Sequence, residues 1–73
     1  MLELDTSGLK CPLPVLKARK AIGGLEPGET IRVIATDPST VADFQEFCAN
    51  TGHQLVDSSE EGGIFVYKIK KIG

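Results

Sequence analysis

Thr30-Ile31-Arg32-Val33-Ile34-Ala35-Thr36-Asp37-Pro38-Ser39-Thr40-Val41-Ala42-Asp43-Phe44-Gln45-Glu46-Phe47-Cys48 is the stretch whose pattern reveals the architecture. From Thr30 to Ala35 the chain is rich in β-branched residues, and Ile31, Val33 and Ala35 fall on one face of a strand. Beyond Asp37-Pro38 the period changes, and Val41, Phe44, Phe47 and Cys48 form a helical stripe. Asp37 supplies a capping side chain, and Pro38 suits the first helical position, where the amide has no intrahelical partner. A strand that hands over to a helix across one Asp-Pro step predicts alternating strand and helix layers.

Working outward, Leu2-Glu3-Leu4-Asp5-Thr6 alternates as a short half-buried strand does. From Pro14 onward Val15, Ala18, Ile22 and Leu25 share a second helical stripe, ended by Gly23-Gly24. After the Gly52 helix stop, with His53 placed to cap the last carbonyls, Gln54-Leu55-Val56 begins a third strand. The acidic stretch from Asp57 to Gly63 is expected to turn the chain, and Ile64 to Lys71 returns antiparallel. In that last strand Phe65, Tyr67 and Ile69 face the core, with Ile64, Val66, Lys68 and Lys70 opposite. The order βαβαββ with right-handed crossovers predicts a two-layer α/β sandwich, a four-stranded mixed sheet with both helices on one face. Residues 1–73 are expected to form one domain.

Composition narrows the function classes. A chain of 73 residues, 41% hydrophobic and 5% aromatic, has room for one thin core. No run reaches the roughly 20 apolar residues of a bilayer span, and the N-terminus lacks a basic start, so a cytoplasmic protein is expected. A net charge of −2 argues against direct nucleic-acid binding through phosphate neutralisation. Charge is nonetheless segregated: Lys10, Lys17, Arg19 and Lys20 gather around the first helix, whereas Asp37, Asp43, Glu46, Asp57, Glu60 and Glu61 occupy a region without Lys or Arg. Two cysteines are too few for a disulfide-stabilised secreted domain, which points to reduced thiols.

The chemistry concentrates in Gly8-Leu9-Lys10-Cys11-Pro12-Leu13-Pro14-Val15-Leu16. A residue before proline avoids the helical region, so regular helix starts near Pro14 and Cys11 sits in the lead-in. An exposed thiol at the positive end of a helix beside Lys10, with Lys17 or Arg19 adding to the field, is expected to favour the thiolate. The depression should be modest, because Pro12 and Pro14 cannot donate and only the Leu13, Val15 and Leu16 amides remain. The plainer alternative is that Cys11 packs under its loop as a small apolar residue. Cys48, on the inward stripe of the second helix, reads as core. Leu16, with Leu13, either forms an exposed apolar spot beside Cys11 or reaches the core through an irregular helix opening.

Other chemistries fit less well. Pro14 stands where a Cys-x-x-Cys motif would place its second thiol, and a Cys11–Cys48 disulfide would join an exposed group to a core group. Cys11, Cys48 and His53 lack the short paired spacings of a zinc site, and no phosphate loop, dinucleotide fingerprint or serine-hydrolase motif is present.

Leu4-Asp5-Thr6-Ser7-Gly8-Leu9-Lys10-Cys11-Pro12-Leu13-Pro14 strongly resembles the signature of the TusA/SirA-like sulfur-carrier family, Cys-Pro-x-Pro. Pro27-Gly28-Glu29, Asp37-Pro38, Asp43-Phe44 and Phe47-Cys48 extend the likeness over essentially the whole chain. The resemblance implies a βαβαββ sandwich in which Cys11 accepts sulfane sulfur as a transient persulfide, without a resident cofactor. Gly8, Pro12 and Pro14 would position it. The implied partners are a cysteine desulfurase or another sulfur donor, and a downstream acceptor in a sulfur relay. Known destinations are 2-thiouridine in tRNA, molybdenum-cofactor maturation and dissimilatory sulfur oxidation. Lys10, Leu13, Leu16, Lys17, Arg19 and Lys20 are the residues expected to dock partners around Cys11. The expected state is a monomer acting as a persulfide carrier rather than a stand-alone multiple-turnover enzyme. The competing readings are a redox protein using Cys11 and Cys48, and a regulatory binding module without covalent chemistry.

Overall fold

The computed structural model describes residues 2–72. Its elements are β1 (Leu2–Thr6), α1 (Leu13–Gly23), β2 (Thr30–Ala35), α2 (Thr40–Thr51), β3 (Gln54–Glu61) and β4 (Ile64–Lys70). The sheet has the order β1-β2-β4-β3, with β1 parallel to β2 and the other neighbours antiparallel. The expected mixed four-stranded sheet is therefore present, and both helices pack on one of its faces through a shared core.

That core follows the two periodicities. Ile31, Val33 and Ala35 of β2 and Tyr67 and Ile69 of β4 are buried, facing Ala18 and Ile22 of α1 and Phe44, Phe47 and Cys48 of α2. Phe44 lies over Tyr67 with ring centroids 4.6 Å apart and meets Phe47 edge-on at 6.4 Å. Leu4, Val15, Leu25, Leu55 and Phe65 close its margins, partly buried.

Several expectations about local structure are corrected. The acidic stretch is strand, not turn: β3 runs to Glu61, and the reversal takes only Gly62 and Gly63, at φ of 59° and 83°. Two glycines with positive φ form a tight hairpin loop, so pairing continues to Glu61↔Ile64. The acids are tolerated because β3 is an edge strand exposed along most of its length.

On α1 the fully buried positions are Pro14, Ala18 and Ile22; Val15 is only partly buried, and Leu25 lies past the helix end. On α2 the helix begins at Thr40 after Ser39, so Pro38 belongs to the preceding turn and not to the first helical position. Thr40 is buried where Val41 was expected, and Val41 is exposed. The reason is a buried partner: Thr40 Oγ1 lies 2.8 Å from the Tyr67 hydroxyl.

His53, finally, does not cap the carbonyls of α2. Gly52 closes that helix at φ 82°, its amide donating to the Cys48 carbonyl, and His53 Nδ1 accepts from the Ile72 amide at 3.2 Å.

Candidate functional site

The carboxyl ends of the parallel strands β1 and β2 lie side by side, with Thr6 opposite Ala35. Each strand leads into a loop and then a helix, so the loop before α1 and the turn before α2 meet at one end of the sheet, the usual ligand position in such sheets. Cys11 is on the first of these and Asp37 on the second.

Cross-loop hydrogen bonds join the two. The Gly8 amide donates to Thr36 Oγ1 at 2.9 Å, and the Cys11 amide donates to Asp37 Oδ2 at 2.8 Å. Gly8 holds φ at 80°, a backbone conformation that side-chain-bearing residues rarely adopt. Asp37 Oδ1 accepts from its own turn, from the Ser39 amide at 3.0 Å. These contacts keep the Asp37 carboxyl below its ordinary value; the Cys11 amide is the largest cause, followed by the amide and hydroxyl of Ser39.

The Asp37 turn is itself anchored from below. Thr40 Oγ1 donates to the Asp37 carbonyl at 2.6 Å, leaving the Tyr67 hydroxyl to donate to Thr40. A chain of contacts thus runs from Tyr67 in the core through Thr40 and Asp37 to the backbone of Cys11.

Cys11 is exposed and Cys48 is buried, 7% accessible, so one thiol faces solvent and the other belongs to the core as expected. Pro12 stands at the N-cap of α1 and Pro14 is packed inward in its first turn. The Leu13 amide donates to the Lys10 carbonyl at 2.9 Å and the Leu16 amide to the Pro12 carbonyl at 3.1 Å, so neither is free to serve a thiolate.

The electrostatic expectation for Cys11 is overturned. Its thiol is pushed up, not down, chiefly by the Asp43 carboxylate, which favours the protonated form. Desolvation and the negative charges of Asp43 and Asp37 act the same way, while the Ser39 hydroxyl opposes them. The fold sets two α2-side carboxylates against the field of one short helix and Lys10.

A cleft of about 390 Å³ opens beside the thiol, between α1 and α2. Cys11, Pro12, Val15 and Arg19 form one wall, and Asp43, Glu46, Phe47, Asn50 and Thr51 the other. Of the cations expected around Cys11, Arg19 reaches this cleft, while Lys10, Lys17 and Lys20 are exposed outside it. Leu13 and Leu16 are exposed at 46% and 51%, which decides for the apolar spot; helical spacing puts them on one outer stripe of α1 with Lys17 and Lys20.

Thr36, Ser39, Asp43 and Glu46 were not singled out from the sequence as site residues. From the sequence Asp37 is a helix cap, one of the segregated acids and part of the family likeness, but not a partner of the cysteine loop. The usable signal was the parallel pairing of β1 and β2, which brings Asp37-Pro38-Ser39 beside the cysteine loop. Among the described residues, no three His, Cys, Asp or Glu side chains converge as a metal site.

Comparison with known proteins agrees with this geometry. The family model described as sulfurtransferase TusA matches residues 2–71. A sulfur carrier protein TusA of Allochromatium vinosum is 52% identical over 69 residues, covering 94% of this chain and 91% of that one. A putative sulfur carrier protein of Neisseria meningitidis is 46% identical over 67 residues, covering 92% and 90%. The crystal structure of a SirA-like protein from Desulfitobacterium hafniense superposes with a TM-score of 0.86 at 25% identity, over all of both chains. With a cysteine presented at the mouth of an interhelical cleft and these relatives along nearly its whole length, the chain belongs to the TusA family of sulfur carriers.

Proposed function

We propose that Cys11 is the sulfur-bearing group, loaded as a persulfide by a cysteine desulfurase or a related donor and discharged to an acceptor of a sulfur relay. One observation carries this reading: Cys11 is the exposed thiol, held by its backbone at the paired strand ends, while Cys48 is buried in the core.

The transfer is an exchange at sulfur. Cys11 Sγ, on losing its proton, attacks the terminal sulfur of the donor persulfide. An Sγ–S bond forms, the donor's S–S bond breaks, and the donor cysteine leaves with the electron pair and takes up a proton. The sum is a persulfide and a thiol on each side, with no external oxidant or reductant. No second cysteine beside Cys11 resolves the persulfide internally, so the cargo waits for an acceptor thiol.

Docking falls to the surface around the thiol. Leu13 and Leu16 offer apolar area, Lys17 and Lys20 flank them, and Arg19 stands inside the cleft. The carrier acts as a monomer in the cytoplasm. Among the described residues, no helix is long and apolar enough to cross a membrane.

Intact mass after incubation with a cysteine desulfurase and cysteine tests the reading. Wild type and Cys48→Ala gain one reductant-labile sulfur, and Cys11→Ala gains none. Loading that survives in Cys11→Ala refutes the assignment. A reversible Cys11–Cys48 disulfide, with function lost equally in both variants, favours the dithiol reading instead.

A further inference from the structure

The cleft between α1 and α2 holds unlike charges that do not meet. Arg19 stands on one wall and Asp43 and Glu46 on the other, and Cys11 lines the same space. No ion pair closes across it: among the described residues the salt bridge is Arg32–Glu3, between β2 and β1. Asp43 Oδ2 is moreover cut off from solvent without a hydrogen-bond partner, so this carboxylate is under-served by its own chain.

The rest of the lining suits a small ligand. Asp43, Glu46 and Asn50 recur at intervals of three and four along α2, so they follow one another up one stripe, with Phe47 beside them. Pro12 and Val15 give the facing wall apolar surface. At about 390 Å³ the cleft lies within the roughly 300–1,000 Å³ of small-molecule sites, which likewise combine apolar walls with a few polar groups. A molecule that satisfies this lining carries a cation and an anion close together, a short apolar stem, and sulfur within reach of Cys11. An α-amino acid has its ammonium and carboxylate on one carbon, and in cysteine the sulfur is one methylene further on. Two carboxylates against one guanidinium leave the cleft negative, which disfavours anionic donors and accepts a neutral zwitterion.

We propose that the cleft is a binding site for a zwitterionic amino-acid persulfide, cysteine persulfide, which loads Cys11 directly: Arg19 takes the carboxylate, and Asp43 with Glu46 takes the ammonium. The proposal rests on reading Cys11 as the sulfur-bearing group. Cys11 Sγ, on losing its proton, attacks the outer sulfur of the bound persulfide. The Sγ–S bond forms as the ligand's S–S bond breaks, and cysteine leaves with the electron pair and takes up a proton. Sulfane sulfur is conserved, and no oxidant or reductant enters. The carrier thereby has a small-molecule route of loading besides docking to a donor protein.

Three small persulfides test the charge assignment on the folded full-length protein: those of cysteine, of N-acetylcysteine, which lacks the ammonium, and of cysteamine, which lacks the carboxylate. Sulfur gain is followed by intact mass, and each rate is divided by that of a peptide spanning Gly8–Leu16, which has the thiol without the cleft. On this scale cysteine persulfide loads wild type several-fold faster than either analogue. Arg19→Gln erases the advantage over cysteamine persulfide and keeps that over N-acetylcysteine persulfide, while Asp43→Asn/Glu46→Gln does the reverse. Melting curves confirm that each variant is folded. Equal relative rates for the three compounds on wild type, or preferences that survive both sets of substitutions, overturn the proposal. S-methylcysteine, which has both charges and no transferable sulfur, slows alkylation of Cys11 by iodoacetamide saturably in wild type and not in the variants. That readout involves no sulfur transfer, so a failure of Cys11 as carrier and a failure of the cleft as a binding site are told apart; alkylation indifferent to S-methylcysteine overturns the site even where loading succeeds.

Discussion

The contact chain beneath Cys11 makes a quantitative demand. Tyr67 is 1% exposed and Thr40 0%, and their hydroxyls meet at 2.8 Å, while Thr40 donates onward to the Asp37 carbonyl at 2.6 Å. Tyr67→Phe removes one donor and keeps the ring against Phe44, and Thr40 still has an acceptor for its own hydrogen. The expected loss is about 0.5–1.5 kcal/mol, the net worth of one hydrogen bond. Thr40→Val removes both bonds and leaves the Tyr67 hydroxyl buried with nothing to receive it. Adding the orphan penalty of about 1–3 kcal/mol to one lost bond gives roughly 2–4 kcal/mol. In Thr40→Val/Tyr67→Phe the orphan is gone, so the double variant is as stable as Thr40→Val or more so, and the two single losses do not sum. Urea unfolding followed by circular dichroism resolves these differences, since about 1 kcal/mol shifts the midpoint by up to roughly 1 M in so small a domain. Equal and additive single losses would refute the reasoning, because they would mean that the two hydroxyls are satisfied independently.

Two further outcomes follow from the site. Asp37→Asn removes a carboxylate that serves two amides at once, so Cys11 loses the order of its backbone. Because the folded Asp37 carboxyl lies below its ordinary 3.8, its stabilising contribution is present above that value and is lost as pH falls through the lowered one. Acid unfolding of the variant is consequently flatter than that of wild type below about pH 4, and coincident acid limbs would count against the Asp37 contacts. Replacing Lys17, Arg19 and Lys20 together by Glu slows sulfur loading at low salt and leaves the melting midpoint nearly unchanged; the deficit shrinks as salt rises, because exposed charges are screened. Loading rates equal to wild type at low salt would remove α1 from the docking surface.

Local sequence accounts for most of the architecture. Alternation in Thr30–Ala35 and Ile64–Lys70 and helical spacing in the two intervening segments depend only on neighbours a few positions apart, so the elements and their inward faces were legible directly. The length of β3 was not, since whether Asp57–Glu61 continues as strand depends on β4 being there to pair with it. Thr40 was likewise hidden as a core residue, because a hydroxyl is buried only where a partner such as Tyr67 waits for it.

The reactive group itself was equally plain: Cys11 before a proline-rich helix opening is a statement about adjacent residues. Its electrostatic state was not. The local groups, a helix N-terminus and Lys10, favour the thiolate, whereas the fold brings to the sulfur, from distant positions, α2-side carboxylates that push the thiol up. The Cys11–Asp37 contact alone spans 26 positions. Sequence by itself determined which atom carries the chemistry, because backbone preference and periodicity act over short range. Tertiary structure decided how that atom is held and charged, because Coulombic and hydrogen-bond interactions depend on distance in space and not on distance along the chain.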